Sequence, residues 1–466
     1  MKTPRQFSSA ATSLCLASLS ALSGVTGTPF ANNPFTIDEC AKSLLSHKSP
    51  AFGAIAPDLN EDSIVYGEIE YQLTIDGQEQ QKLNFEVSAS ATANTRKLEA
   101  SNTDLQSLES HFGTTLEMNV KNLTASAAYY VMPWPSSYWA TYEDSINHRW
   151  SSSGDLSPAE KYATAFGLDL TVFMRAVSSS TGVQSQKDLR VCSSDRGCAS
   201  LNDNSVCAIR LGEQQGYCIP KWFGLCHAWS PAALLEPEPK CAVQKNGVMF
   251  QPMDIKALLT QVYDGANIST VFTGARYYGS DDNPQTDQYG RFTDGSRRDL
   301  GPGFLHVALT NILGRFNSSV VMDVTGSSEV WNQPVYSYEV INQSELTPTE
   351  AASKYYGQPT YPFNNAAKRI MYTETKVTWM VEAYENGGLV SSGRAAQYTA
   401  SDIYTYLLEL DNDYNILGGE WVGKSKADHP DFLWVPKERP ALTTVTDIGL
   451  SYQNVRELLD LATNCA

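Results

Sequence analysis

The sequence predicts an α+β fold, with helices leading into an antiparallel sheet, and three observations carry that prediction. Two helix starts share one signature: Ser157-Pro158-Ala159-Glu160 and Thr347-Pro348-Thr349-Glu350 each join an N-cap hydroxyl, a proline at the first helical position and a glutamate that can reach back to the cap. The second half is strand-like. Residues 369–381 alternate imperfectly and are rich in β-branched and aromatic side chains, and 403–410, a polar turn at 411–415 and 416–422 read as an antiparallel hairpin. The 24 tyrosines and 9 tryptophans point the same way, because large aromatics favour pleated, half-buried surfaces.

Lys2 and Arg5 precede an Ala-, Leu- and Ser-rich stretch from Ala10 to Val25, the pattern of a secretory signal peptide over residues 1–27. Residues 28–125 are rich in Glu, Gln, Asn and Ser and poor in Trp, which suits a small pro- or regulatory region. Within it Leu98, Leu105, Leu108, Phe112 and Leu116 recur at near-helical spacing. Trp-rich text from Val131 onward marks the main domain, placed at 126–466. It closes on an amphipathic helix running from Ser451 through Ala462.

A hydrophobic content of 42% with 18% charged residues describes a globular chain with a large core. The net charge of −17 leaves no basic footprint, which excludes nucleic acid as a partner. No apolar run after the leader reaches about 18 residues, so no membrane span is expected. Sequons at Asn122, Asn267, Asn317 and Asn342 fit a secreted glycoprotein.

Removing Cys15 with the leader leaves eight of the nine cysteines. Cys192, Cys198, Cys207, Cys218 and Cys241 crowd around Cys226 without the Cys-x-x-Cys pairs of a zinc site, so they read as a disulfide-stapled segment. Cys226 is then either a free thiol, which leaves an odd number of others, or a partner of Cys218 or Cys241.

The surroundings of Cys226 favour chemistry. It lies in Lys-Trp-Phe-Gly-Leu-Cys-His-Ala-Trp, residues 221–229, and Ser230-Pro231 starts a helix either after the thiol or through it. His306 follows Gly-Pro-Gly and opens a predicted strand over 307–313. Asp323 ends the next strand-like run, 319–323, so adjacent antiparallel strands bring both to one face. Thiol, imidazole and carboxylate in that order suit acyl transfer by a cysteine nucleophile, with His306 as base and Asp323 orienting it. Asn332 is the rival orienter, and the neighbouring His227 points in the wrong direction. The Cys226 N–H and the Trp222 indole are the oxyanion donors to expect. Asp281, Asp282, Asp287 and Asp294, around a glycine, form a candidate calcium loop, and Asp411, Asp413 and Asn415 a second.

Val330-Trp331-Asn332-Gln333-Pro334-Val335 resembles the core of the peptide elicitor in the secreted transglutaminases of oomycetes, the transglutaminase elicitor family. Residues 138–147, the Cys226 segment, 298–306, 418–423 and 429–434 are similar too. The resemblance implies a secreted, cell-wall, calcium-dependent protein-glutamine γ-glutamyltransferase with a pro-region and a papain-like core. It also implies protein substrates bearing Gln and Lys, and a plant receptor for residues 330–342. The family continues Arg-Gly-Phe-Lys after the hexapeptide, whereas this chain has Tyr336-Ser337-Tyr338-Glu339, which removes two basic residues from the recognised segment. The alternatives are a papain-like cysteine protease, and a non-catalytic, disulfide-stapled elicitor protein that binds a partner through an exposed Trp331 hairpin.

Overall fold

The computed structural model describes residues 102–465, apart from Ser153, Asn267 and Asp299, together with a pairing of Thr74–Ile75 with Gln78–Glu79. The predicted signal peptide and most of the predicted pro-region lie outside the described residues. Strands β1 (Ser126–Ala128), β2 (Thr270–Gly274), β3 (Val321–Asp323), β4 (Asn332–Leu346), β5 (Arg369–Met380), β6 (Thr399–Leu410), β7 (Ile416–Trp421) and β8 (Phe432–Pro436) form one sheet. Its order is β7-β6-β5-β4-β3-β8-β2, with β1 also pairing β4, and every pairing is antiparallel. The hairpin expected over 403–422 is β6–β7, and the long alternating run is β5.

Helices α1 (Asn102–Phe112), α2 (Pro158–Phe166), α3 (Leu170–Ser180), α4 (Cys226–Leu235), α5 (Pro252–Gly265), α6 (Pro302–Leu309), α7 (Pro348–Tyr356) and α8 (Tyr452–Thr463) surround it. Both capping boxes form as the sequence predicts, at Ser157 for α2 and Thr347 for α7. Ser451 caps α8.

Helix α6 corrects the sequence reading. Residues 302–309 are helical and run on into a π-helical turn over 310–315, where a strand was expected. Every residue of α6 is buried, and an apolar segment buried on all sides has no periodicity to separate helix from strand. The decisive signal was Pro302 at the first helical position. Helix α6 lies close on β7, where a Cβ added at Gly303 would stand 2.6 Å from the Gly418 carbonyl and one added at Gly419 3.0 Å from Gly303 N, so Gly303 and Gly419 are needed for this approach.

Strand alternation divides the core. Met322, Leu433 and Val435 pack with Phe304, Leu305 and Val307 of α6, while Val321, Phe432 and Trp434 pack with Trp222, Phe223 and Cys226. Helices α4 and α6 therefore cover opposite faces of β3 and β8. Behind α4, helices α2, α3, α5 and α8 bury Tyr162, Phe173, Leu258, Leu259, Leu458 and Leu459. Residues 102–125, assigned by composition to the N-terminal region, belong to this body: Leu108, Leu116 and Val120 join the α6 cluster, and Asp104 accepts from Gly274 N–H at 3.0 Å.

Among the described residues three disulfides brace the fold. Cys192–Cys207 and Cys198–Cys218 staple a small three-stranded sheet just ahead of residues 221–226, and Cys241–Cys465 anchors the chain after α8 to the segment after α4.

Candidate active site

Cys226 is the free cysteine among the described residues, and it is buried. Cys218 and Cys241, its two expected partners, are bonded elsewhere, and Cys40 lies outside the described residues. The thiol is the first residue of α4, which runs through Pro231 without restarting. A helix N-terminus carries partial positive charge and exposes N–H donors, the local setting that favours an anionic sulfur or oxyanion. The approach to it is fixed by Leu225 N–H donating to Tyr138 O at 2.6 Å, and by Gly224, where an added Cβ would strike the Tyr138 ring at 2.4 Å.

Around the sulfur, Asn332 Nδ2 lies 3.9 Å from Sγ and Val330 O lies 3.8 Å away. Asn332 is held at three points: its Oδ1 accepts from Trp434 Nε1 at 2.9 Å, its backbone O accepts from Ser230 Oγ at 2.7 Å, and its backbone pairs with Asp323 across β3–β4. Directly opposed residues of an antiparallel pair share a face, so Asp323 and Asn332 stand together on the Cys226 side. Asp323 Oδ1 accepts from Trp331 N–H, Thr325 N–H and Thr325 Oγ1 at 2.9, 3.3 and 3.0 Å. Its Oδ2 is buried with no hydrogen-bond partner among the described residues.

Burial pushes the Cys226 thiol up to about 12, and the nearby Glu382 and Asp323 carboxylates add to the rise against the Asn332 hydrogen bonds. The resting sulfur is therefore protonated. Burial also lifts Asp323 well above the ordinary carboxylate range, opposed by its hydrogen bonds and by the buried Arg276 guanidinium. That guanidinium lies 4.6 Å from the Tyr278 ring, and its charge also couples to Asp431.

The structure does not bring His306 to this cluster. It stands on α6, on the other face of the sheet, where Nδ1 lies 2.7 Å from Tyr406 Oη and that hydroxyl lies 2.6 Å from Thr375 Oγ1. Burial lowers its pKa to about 4, which makes it a neutral core histidine. The misplacement follows from the helix read as a strand. His227 Nε2 lies 3.0 Å from Asp264 Oδ1, towards α5. Trp222 packs in the Cys226 cluster, edge-on to Phe223.

The carboxylates of the candidate calcium loop are engaged separately. Asp281 accepts from Ser328 and meets Arg297 at 3.1 Å, Asp287 binds Arg291, Asp294 caps the turn at Ser296, and Asp282 is exposed. Among the described residues no three carboxylates of this loop converge, nor do Asp411 and Asp413 with a third acid.

The hexapeptide Val330–Val335 is wholly buried, and Trp331 packs edge-on against Tyr138. The exposed Trp331 hairpin of the binding-protein reading is thus overturned: the segment enters β4 at the centre of the sheet and lines the thiol. Glu382, Trp434 and Arg276 escaped sequence reasoning, because a lone acid after a strand and an aromatic within one carry no signal until the neighbours are known.

Comparisons with known proteins fit this geometry. The transglutaminase elicitor family profile matches residues 104–465. The chain belongs to the transglutaminase elicitor family. Among solved structures it is similar to the GP42 transglutaminase from Phytophthora sojae, at 49% identity and a TM-score of 0.72 over 78% of this chain and 99% of that one. Comparison with curated protein sequences gives no match. This transglutaminase elicitor family chain has no helix, among the described residues, long and apolar enough to cross a membrane.

Proposed function

We propose that the protein is a secreted protein-glutamine γ-glutamyltransferase working through a Cys226 thioester. The observation that carries this reading is a free thiol at the start of a buried helix, touched by a clamped amide and facing an orphaned carboxylate oxygen, in a chain similar to a transglutaminase along almost all of that protein's length. The sulfur attacks the side-chain carboxamide of a protein glutamine. Its proton passes to Asp323 Oδ2 and on to the leaving nitrogen, which departs as ammonia. The Cys226 N–H and the Trp222 indole are the proposed oxyanion donors. A lysine amine then displaces the sulfur, giving an isopeptide bond and regenerating the thiol. Because the thiol rests protonated, attack and proton transfer belong to one step, unlike an enzyme that stores a thiolate beside an imidazolium.

A helical layer and an antiparallel sheet meeting at the thiol support a papain-like architecture for this domain. The disulfides support an oxidising, extracellular setting. A plant receptor binding the folded protein within 330–342 would meet Glu339, Ile341 and Asn342, which are exposed, rather than the buried hexapeptide. A calcium requirement follows from family resemblance alone, and no step depends on it.

The test is incorporation of a fluorescent primary amine into casein, with calcium or with chelator, beside Cys226→Ala. Labelling lost in the variant establishes chemistry and nucleophile together. Casein cleavage without labelling would replace this reading with a cysteine protease.

A further inference from the structure

Asn332 stands against the nucleophile, and the mechanism so far gives it no task. Its Nδ2 lies 3.9 Å from Cys226 Sγ, a long contact for an N–H donor. The direction of that amide is settled by its other end. Asn332 Oδ1 accepts from Trp434 Nε1 at 2.9 Å, and an indole N–H can only donate. The oxygen therefore faces the indole, which leaves the nitrogen facing the sulfur.

The place of the amide is held as well as its direction. Ser230 comes four residues after Cys226 on α4, so the two share one face of the helix, and Ser230 Oγ donates to Asn332 O at 2.7 Å. That bond ties the backbone of β4 to the helix that bears the thiol. Asn332, Ser230 and Trp434 are all buried, which keeps water from competing for these contacts.

An oxyanion donor has to stand about 3 Å from the oxygen that becomes charged, and in a tetrahedral intermediate that oxygen is two bonds from the attacking atom. A nitrogen 3.9 Å from Sγ is placed for an oxygen so attached. The Cys226 N–H, at the first position of α4, needs no partner within the helix and serves from the other side.

We propose that Asn332 Nδ2 is an oxyanion donor, beside the Cys226 N–H, and that Trp434 is the positioning residue that turns the amide towards the sulfur. This rests on the transglutaminase reading above. As the sulfur bonds to the carboxamide carbon, the C=O pair moves onto oxygen, and the Nδ2–H and N–H bonds stabilise its charge without giving up a proton. The pair returns when the C–N bond breaks and ammonia leaves with the proton that Asp323 carried. Attack by the lysine amine rebuilds the same oxyanion on the thioester carbon. It collapses as the C–S bond breaks, and the amine's proton returns to the sulfur through Asp323. One donor thus serves both half-reactions.

The experiment compares amine incorporation with alkylation of Cys226 by iodoacetamide, which needs the same sulfur but forms no oxyanion. Asn332→Ala should lower kcat for incorporation about 10²–10³-fold, the loss typical of one oxyanion donor, with KM for the glutamine donor little changed. Its alkylation rate should stay near that of the wild type, which also shows that the thiol site is intact. Trp434→Phe keeps an aromatic ring but removes the indole donor, and should lower kcat about tenfold, the effect of one hydrogen bond. In the Asn332→Ala background Trp434→Phe should cost nothing more, because it acts through the amide. Incorporation and alkylation falling in parallel would overturn the assignment and make Asn332 a support of the thiol alone. Full additivity of the two substitutions would remove Trp434 from the positioning role. A wild-type protein that incorporates no amine ends the transglutaminase reading itself, whereas parallel losses in variants of an active enzyme overturn only the oxyanion assignment.

Discussion

The two faces of the sheet at β3 and β8 each bury a candidate catalytic residue, and they treat it oppositely. On the α6 face, His306 joins a closed chain through Tyr406 to Thr375 inside an apolar cluster. On the α4 face, Cys226 stands with Asn332 and Asp323, and Asp323 Oδ2 is buried without a partner among the described residues. A stable core satisfies its polar groups, so an orphaned carboxylate oxygen beside a free thiol marks where a substrate is to supply the missing contact. Burial alone does not distinguish a core residue from a catalytic one, and neither does unfilled hydrogen-bonding capacity by itself, since Tyr404 Oη is buried without a partner among the described residues in the α6 cluster; the combination with a free thiol does.

The contrast breaks most sharply at Cys226. Cys226→Ala should abolish amine incorporation, by at least about 10³-fold, with thermal unfolding little changed. Activity surviving in that variant would remove the thiol from the mechanism. Asp323→Asn comes next: it keeps the Oδ1 contacts but takes away the proton acceptor, so ammonia release should fall about 10²-fold. A fall of less than twofold would assign Asp323 to structure alone.

His306 sharpens the comparison from the other side. His306→Ala should cost about 2–4 kcal/mol of stability through the cavity and the lost Tyr406 contact, read by urea unfolding. Loss of turnover in a variant whose stability is unchanged would return His306 to the chemistry. The pH dependence gives a finer test. Its folded pKa of about 4 lies below the ordinary value of 6.5, so the unfolded chain binds more protons between those limits, and stability falls as pH drops through that window. Wild type should therefore lose about 1.4 kcal/mol per pH unit more than His306→Gln does between pH 6.5 and 4.5. Parallel curves for the two proteins would show that burial does not hold His306 neutral.

Much was legible in the sequence because it was local. The capping boxes at Ser157 and Thr347, the 403–422 hairpin, β5 and the final helix follow from side chains within a few residues of one another. The nucleophile was legible as well, since Cys226 stands apart from a crowd of cysteines by its Trp-, Gly- and His-rich surroundings. The sequence also left two alternatives for Cys226, a disulfide or a free thiol, and two for its helix, starting before or after Pro231.

Tertiary structure decided those alternatives, and it decided the site. Which cysteines pair depends on distances between strands of the small sheet and on how α8 packs, neither of which spacing records. Residues 302–309 are apolar apart from His306 and carry no periodicity, so beyond Pro302 at the first helical position it is packing against β7, made possible by Gly303 and Gly419, that fixes the helix. That one choice sends His306 to the far face. The same sheet brings Asp323 across from Asn332 by register and turns the elicitor-like hexapeptide inward. By itself the sequence determined which residues could do chemistry. The face on which each one stands is a property of strand pairing, since a side chain's direction alternates with every residue and is set by partners far away in the chain.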